Sequence, residues 1–168
     1  MTPDLFWIAG PWTGRLAIAA RPRGGDWLDD EGRGWRAAGL DILVSLLEEE
    51  EAAQLDLVNE QRAAAANGVR FVSFPIPDRG VPASTQAAVA VLRDIVRALE
   101  SGKSVAVHCR QGIGRSGLVA AGALVTAGMS ADRAIEAVSA ARGITVPETP
   151  SQRRWIQQLF SERLAEAV

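Results

Sequence analysis

Residues 108–117 read His-Cys-Arg-Gln-Gly-Ile-Gly-Arg-Ser-Gly, and this segment constrains the fold more than any other part of the chain. It follows a short apolar run at residues 104–107 and precedes an apolar run of helical length at residues 116–127. A glycine-rich turn from a buried strand into a helix leaves unpaired backbone N–H groups that can bind an anion. The segment therefore predicts an α/β fold with an anion site where a strand ends.

Apolar runs and turn residues divide the rest of the chain into alternating strands and helices. Further strands are predicted at residues 5–9, 15–20, 41–46 and 69–74. Helices are predicted at residues 26–38, 48–54, 56–66, 84–99, 130–141 and 150–165. Residues 75–82 contain three prolines and Gly80, so they are predicted to form a loop. We expect one domain over residues 1–168, with a central, mostly parallel sheet of about five strands and helices on both faces.

The segment from His108 to Arg115, named the cysteine loop below, contains the only cysteine of the chain. Gly112 and Gly114 allow the loop to curl with its backbone amides pointing inward. Arg115 can bind the same anion through a planar pair of N–H groups. The amides, the helix N-terminus and Arg115 all favour the thiolate form of Cys109. The loop is therefore predicted to be a phosphate site that contains a nucleophile.

The order His-Cys, five residues, Arg, Ser and Gly resembles the signature of the cysteine-dependent protein tyrosine and dual-specificity phosphatases. The resemblance implies that Cys109 attacks phosphorus to form a phosphocysteine, while Arg115 binds the phosphoryl oxygens. It also implies that Ser116 stabilises the departing thiolate and that His108 orients the loop. By the same resemblance, the phosphate is bound by Arg110, Gln111, Gly112, Ile113, Gly114 and Arg115.

Residues 74–80, Phe-Pro-Ile-Pro-Asp-Arg-Gly, are named the acid loop below because they resemble the general-acid loop of dual-specificity members. The resemblance implies that Asp78 protonates the leaving oxygen, a role that contributes about 10²–10⁴ to a rate. Arg79 is a candidate for binding substrate. Two simpler interpretations stay open: Asp78 as a turn residue before Gly80, and Arg79 as a solvated side chain.

Residues 142–152, named the late loop below, resemble the segment in which classical members use a glutamine to position the hydrolytic water. That resemblance makes Gln152 a candidate catalytic residue. Thr149, Pro150 and Gln152 equally predict a helix start, with an N-cap, a proline at the first position and a capping-box glutamine. Arg142 is a candidate for supporting the cysteine loop.

Two departures from the family pattern bear on substrate class. The chain has no tyrosine, so it lacks the tyrosine-bearing recognition loop of classical members and is expected to have the shallower cleft of the dual-specificity kind. Phosphoinositide phosphatases often carry two lysines in the cysteine loop, where this chain has Arg110 and Ile113. Residues 41–78 resemble the cyclin-dependent-kinase-associated branch. We expect a phosphoprotein substrate, with phosphotyrosine foremost; a phosphoinositide or another small phosphomonoester is the alternative.

Composition argues against several other classes of protein. A net charge of -2 is unlike the strongly basic surface of a nucleic-acid binder. One histidine and one cysteine are too few for a His/Cys zinc site, and no metal or cofactor is expected. No apolar run reaches the roughly 20 residues of a membrane span. Residues 1–10 do not resemble a secretion signal, so we expect a cytoplasmic protein with no membrane or nucleic-acid partner.

Two alternatives come from other functional classes. The first is a phosphate-binding module without turnover, which would gain nothing from a reactive thiolate at Cys109. The second is sulfur transfer on a rhodanese-like loop, which usually spaces cysteine and arginine differently and lacks the Ser116-Gly117 continuation.

An acidic segment precedes both predicted loops. Residues 26–60 contain 11 acidic and 2 basic side chains. Charge runs of this kind are typical of solvated surfaces, so we interpret the segment as an exposed acidic face.

Overall fold

The computed structural model describes residues 3–166, which form a five-stranded sheet between two layers of helices. The single domain predicted above covers residues 1–168, and its first two and last two residues lie outside the described residues. The strands are β1 (Leu5–Ile8), β2 (Arg15–Ala19), β3 (Ile42–Ser45), β4 (Arg70–Ser73) and β5 (Ser104–His108). The helices are α1 (Leu28–Ala37), α2 (Glu49–Gln54), α3 (Glu60–Ala66), α4 (Thr85–Glu100), α5 (Gly114–Thr126), α6 (Ala131–Arg142) and α7 (Pro150–Glu166).

The strand order is β1-β2-β5-β3-β4. β1 runs antiparallel to β2, and the other three pairings are parallel. The prediction of a mostly parallel sheet with helices on both faces is therefore confirmed. All five residues of β5 are buried, as expected for the central strand of a sheet that is covered on both sides.

The two faces of the sheet carry side chains of different size. One face presents larger aliphatic residues, among them Leu16, Val44 and Val107, which pack with α4, α5, α6 and α7 in what is named the larger core below. The other face presents mostly smaller residues, among them Ala17, Leu43 and Ala106. These pack with residues of α1 and α3 in a second core, named the smaller core below. Strand residues alternate between faces, so two adjacent residues of β5 always belong to different cores.

Helix α5 lies in the larger core and is apolar on nearly all sides. Twelve of its residues are buried, from Gly114 to Val125, which agrees with the prediction of a central, buried helix. Among the described residues, no helix combines the length and apolar character that crossing a membrane would need.

The parallel strands bring three loops to one edge of the sheet. β3, β4 and β5 run in the same direction, so the segments that follow Ser45, Ser73 and His108 all begin at the carboxyl edge. In open α/β sheets this is the edge where ligands bind. The cysteine loop and the acid loop meet there because the sheet topology requires it.

Two predicted helix starts differ from the structure. The helix predicted at residues 56–66 begins only at Glu60, because Asp56 adopts a φ of 58°, a left-handed conformation that cannot continue a helix. The helix predicted from Ser116 already begins at Gly114. Arg115 and Ser116 therefore lie in the first turn of α5.

The interpretation of residues 26–60 as a solvated face is correct for most of the acidic side chains and wrong for two. Glu51 and Glu60 are buried, with exposures of 8% and 2%. Carboxylates are almost never buried to this extent unless they are paired, so each must have a partner inside the protein.

A test of the smaller core compares two tryptophans that lie close together in the sequence. Trp35 is buried in this core, whereas Trp27 is exposed and stacks against Arg23. We expect Trp35→Ala to lower the free energy of unfolding by about 3–5 kcal/mol. Trp27→Ala should lower it by no more than about 1 kcal/mol. Denaturant unfolding measures both changes, and equal losses would contradict the assignment of Trp35 to the core.

Candidate active site

Cys109 follows the last residue of β5, and its side chain faces the N-terminus of α5. The residue is 3% exposed, and the backbone N–H of Gly112 donates to its Sγ over 3.3 Å. Gly112 has a φ of 70°, which a glycine adopts without strain. The positive end of the α5 dipole and the Gly112 amide both favour negative charge on the sulfur.

Arg115 is almost fully buried, at 2% exposure, and its guanidinium is held from several sides. Its Nη1 donates to Glu51 Oε1 at 2.6 Å and to the Ile76 carbonyl at 2.9 Å. The Leu46 carbonyl lies 3.5 Å from the same nitrogen. Its Nη2 donates to Glu51 Oε2 at 2.9 Å. This bidentate pair with Glu51 fixes the guanidinium plane beside the cysteine loop.

The charge of each partner depends on the other. The hydrogen bond from Arg115 holds the pKa of the Glu51 carboxyl below its ordinary value, although burial acts in the opposite direction. Burial lowers the pKa of the Arg115 guanidinium, but the hydrogen bond to Glu51 and the charges of Cys109, Glu51 and Asp78 outweigh burial, so this pKa is raised. The guanidinium is therefore always charged at this site.

Asp78 lies at the edge of Arg115 that Glu51 leaves open. Its Oδ1 accepts from Arg115 Nη2 at 3.1 Å, and its side chain is 56% exposed. A carboxylate oxygen here occupies a position suited to an anion. A phosphoryl oxygen could take that place on Arg115, which would leave Asp78 beside the group that departs.

The acid loop is tied to the late loop by two contacts. Arg79 Nη1 donates to Glu148 Oε1 at 2.9 Å, and Gln152 Nε2 donates to the Gly80 carbonyl at 3.0 Å. These contacts are made by the two residues that directly follow Asp78. The late loop therefore helps to hold Asp78 over the cysteine loop.

Gln152 is completely buried, and its side-chain amide is used for structure. Its Oε1 accepts from the backbone N–H groups of Glu148 and Thr149 at 3.2 and 3.1 Å, while its own N–H donates to Thr149 Oγ1 at 3.2 Å. These are the reciprocal bonds of a capping box. Gln152 Nε2 reaches Gly80 as well, so the amide already has partners on both sides.

Arg142 supports the cysteine loop from the last turn of α6. Its Nε donates to the Gly112 carbonyl at 2.9 Å and its Nη2 to the Gln111 carbonyl at 3.3 Å. Its guanidinium also stacks on Phe6, 4.2 Å from the ring centre. Carbonyls bound from outside the loop leave the corresponding amides free to point inward.

His108 begins the cysteine loop, and Ser116 directly follows it. His108 is fully buried; its Nε2 contacts Glu60 Oε1, and its Nδ1 lies 3.3 Å from the Cys109 carbonyl. The Ser116 hydroxyl is buried and has no hydrogen-bond partner in the described part of the chain. A buried hydroxyl without a partner is uncommon, and this one lies in the first turn of α5.

Most of the predicted residues line one pocket of about 400 Å³, counted to its open mouth. Its walls are formed by Asp78, Arg79, Cys109, Arg110, Gln111, Gly114, Arg115 and Glu148. Two other residues of the cysteine loop, Gly112 and Ile113, do not line the pocket. Among residues 3–166 there is no cluster of three acidic, histidine or cysteine side chains that could hold a metal ion.

Three carboxylates at this site were not predicted from the sequence: Glu51, Glu60 and Glu148. Glu51 lies in a run of four glutamates, and nothing in that run distinguishes it from its neighbours. Glu60 carried a signal, because Leu57, Ala63 and Ala64 lie three or four residues from it and predict an apolar helix face around it. Glu148 carried none.

Sequence comparison identifies two kinds of relative. A family model described as "Tc-R-P: Polymorphic toxin system, DSP-PTPase phosphatase" matches residues 19–129, a span that includes the cysteine loop and the acid loop. The curated protein "Putative tyrosine phosphatase 197R" of Invertebrate iridescent virus 6 is 31% identical over 116 residues. The match covers 65% of this chain and 42% of the viral protein, so the chain spans less than half the length of that relative.

Two solved structures share the fold over nearly the whole chain. Kinase associated phosphatase (KAP) gives a TM-score of 0.87 at 19% identity, covering 98% of this chain and 97% of that one. Tk-PTP in its active form gives a TM-score of 0.77 at 30% identity, covering 96% and 99%. At 19% identity, the similarity to KAP is a similarity of fold.

The Glu51–Arg115 pair makes the stability of the protein depend on pH. Because the folded-state pKa of Glu51 is lowered, its contribution is fully present above its ordinary pKa of 4.5 and is lost as the pH falls through the lower folded-state value. We expect the Tm of Glu51→Gln to lie below that of the unaltered protein by a constant amount between about pH 5 and pH 7. Below this range the difference should shrink.

Glu49→Gln is the matched control, because Glu49 is an exposed glutamate of the same helix. Its Tm difference should stay near zero at every pH. Calorimetric scans at several pH values measure both variants. A difference for Glu51→Gln that grew as the pH fell would contradict the ion pair.

Proposed function

The chain belongs to the DSP-PTPase phosphatase family, and from that premise we propose that it hydrolyses phosphomonoesters on proteins through a phosphocysteine intermediate. Phosphorylated compounds are the substrates that the family implies. The proposal rests on one observation above all. The sulfur of Cys109, the N-terminus of α5, the Arg115 guanidinium and the Asp78 carboxyl converge on a single pocket.

In the first step, the Cys109 thiolate attacks phosphorus. The S–P bond forms as the bond from phosphorus to the leaving oxygen breaks, and Asp78 in its protonated form gives its proton to that oxygen. Arg115 binds a phosphoryl oxygen in place of Asp78, and the loop amides and the α5 dipole also stabilise the charge of the phosphoryl group. The burial of Arg115 supports this role, because a fixed donor needs no reorganisation during the reaction.

In the second step, water attacks the phosphocysteine, and the S–P bond breaks to release inorganic phosphate. Asp78, now ionised, accepts a proton from the water, and the sulfur leaves as a thiolate. The Ser116 hydroxyl donates to that thiolate as it forms. Its buried position without another partner supports this assignment. Gln152 acts as a helix cap and as a support for Asp78, since its amide is occupied by backbone partners.

The phosphoryl group is bound by the segment from Arg110 to Arg115, with Arg142 holding the loop from outside. Arg79 acts mainly through its ion pair with Glu148, which supports the acid loop. We propose phosphotyrosine as the foremost substrate residue, with phosphoserine and phosphothreonine also within reach of an open pocket. One catalytic domain covers the chain, and a thiol of this reactivity needs a reducing compartment such as the cytoplasm.

The nucleophile is tested by Cys109→Ser. A serine hydroxyl is far harder to ionise than a thiol, so we expect hydrolysis of an aryl phosphate, measured with a chelator present, to fall by more than about 10³-fold. Tungstate should still bind, because the amides and Arg115 remain. Full activity in this variant would contradict the mechanism. Tungstate binding in the unaltered protein without any hydrolysis would favour the module without turnover.

The general acid is tested by Asp78→Asn. We expect kcat for a substrate with a poor leaving group to fall by about 10²–10⁴, because the amide cannot supply a proton. The loss should be much smaller for a substrate whose leaving oxygen needs no proton. Asp94→Asn is the matched control, an exposed aspartate paired with Arg97 on α4. Equal losses for good and poor leaving groups would contradict the assignment.

A further inference from the structure

A buried pair of titratable side chains lies directly behind the nucleophile. His108 ends β5, Glu60 begins α3, and Glu60 Oε1 is in hydrogen-bond contact with His108 Nε2. Neither side chain is more than 3% exposed. The pair lies on the face of the sheet that carries the smaller core, since His108 follows Val107 and points to the side of Ala106.

The hydrogen bonds determine where one proton must lie. The Cys109 carbonyl is 3.3 Å from His108 Nδ1, and a carbonyl can only accept. Nδ1 therefore carries hydrogen. One further proton lies between Nε2 and the Glu60 carboxyl, whichever of the two atoms holds it, because an ionised carboxylate facing a bare Nε2 would leave a buried charge unpaired. Ser45, opposite His108 on β3, is neutral.

Packing does not require a charged residue at this position. Leu57, Ala63 and Ala64 surround the start of α3 with apolar groups. An apolar side chain in place of a buried ionic partner is often neutral or stabilising in proteins, provided that no partner is left unpaired. The position of Glu60 is better explained by its effect on His108 than by a contribution to the core.

We propose that Glu60 is a positioning residue for the nucleophile. By accepting or sharing the Nε2 proton, Glu60 keeps hydrogen on Nδ1, and Nδ1 then holds the Cys109 carbonyl at the point where β5 leaves the sheet. That hold fixes the direction in which the loop turns, so that the Gly112 amide reaches Sγ. The effect of Glu60 on the loop is inferred from geometry alone. Its effect on catalysis rests on the proposed function.

Two variants separate a hydrogen-bonding role from space filling. Glu60→Gln keeps the volume and can still hydrogen-bond Nε2, whereas Glu60→Leu cannot. The readout is the rate at which iodoacetamide alkylates Cys109, which is the only cysteine of the chain. We expect Glu60→Leu to lower this rate and kcat for an aryl phosphate by about tenfold, the effect of one lost hydrogen bond. Glu60→Gln should stay within about threefold of the unaltered protein.

Glu31→Leu is the matched control. Like Glu60, Glu31 lies in the first turn of a helix that packs on the smaller core, in this case α1. Its carboxylate is paired with Arg23 at 2.6 Å, away from the cysteine loop. Its alkylation rate should match that of the unaltered protein. The proposal is overturned if Glu60→Leu keeps the full rate, if Glu60→Gln loses as much as Glu60→Leu, or if Glu31→Leu loses equally.

A measurement on the unaltered protein remains decisive even if Glu60→Leu does not fold. His108 is the only histidine, so ¹⁵N labelling of histidine gives the signals of one imidazole ring. We expect Nδ1 to carry hydrogen at every pH between about 5 and 8. A ring that loses the Nδ1 hydrogen anywhere in this range overturns the proposal. Alkylation and NMR need no phosphatase activity, so failure of the proposed function would show separately, as absent hydrolysis by the unaltered protein.

Discussion

The buried guanidinium of Arg115 is the constraint on which the arrangement of the site depends. A charge at 2% exposure is tolerated only when it is paired and hydrogen-bonded. Its partners are Glu51 from α2, the carbonyls of Leu46 and Ile76, and the carboxyl of Asp78. These partners come from the segments that follow β3 and β4. Pairing one charge therefore brings two loops against the helix that carries Arg115.

Support for the cysteine loop comes from both faces of the sheet. On the side of the larger core, Arg142 binds two of the loop's carbonyls, and the late loop holds the acid loop through Gln152. On the side of the smaller core, His108 and Glu60 reach the carbonyl of the cysteine itself. The sulfur lies between these two supports. A loop supported in this way is already in its binding conformation before an anion binds, which lowers the entropic cost of binding.

The sequence was sufficient where the determining interactions are local. The strand, glycine-rich turn and helix around Cys109 follow from apolar runs and turn residues, and all five strands were predicted close to their observed bounds. Contacts between residues far apart in the chain could not be predicted from the sequence. In the structure Glu51 differs from Glu48, Glu49 and Glu50 by its burial and by its contact with Arg115, which is 64 residues away. The left-handed turn at Asp56 was missed as well, because an aspartate in that conformation has no marker in the sequence.

The most direct test of the account is to identify the atom that carries the phosphoryl group during turnover. The protein is mixed with an aryl phosphate, quenched in acid within one turnover and digested, and the peptide that contains Cys109 is examined by mass spectrometry. We expect one phosphoryl group on the Cys109 sulfur, present in the quenched sample and absent once substrate is exhausted. Turnover with the phosphoryl group on another residue, or with no covalent adduct at any time, would contradict it.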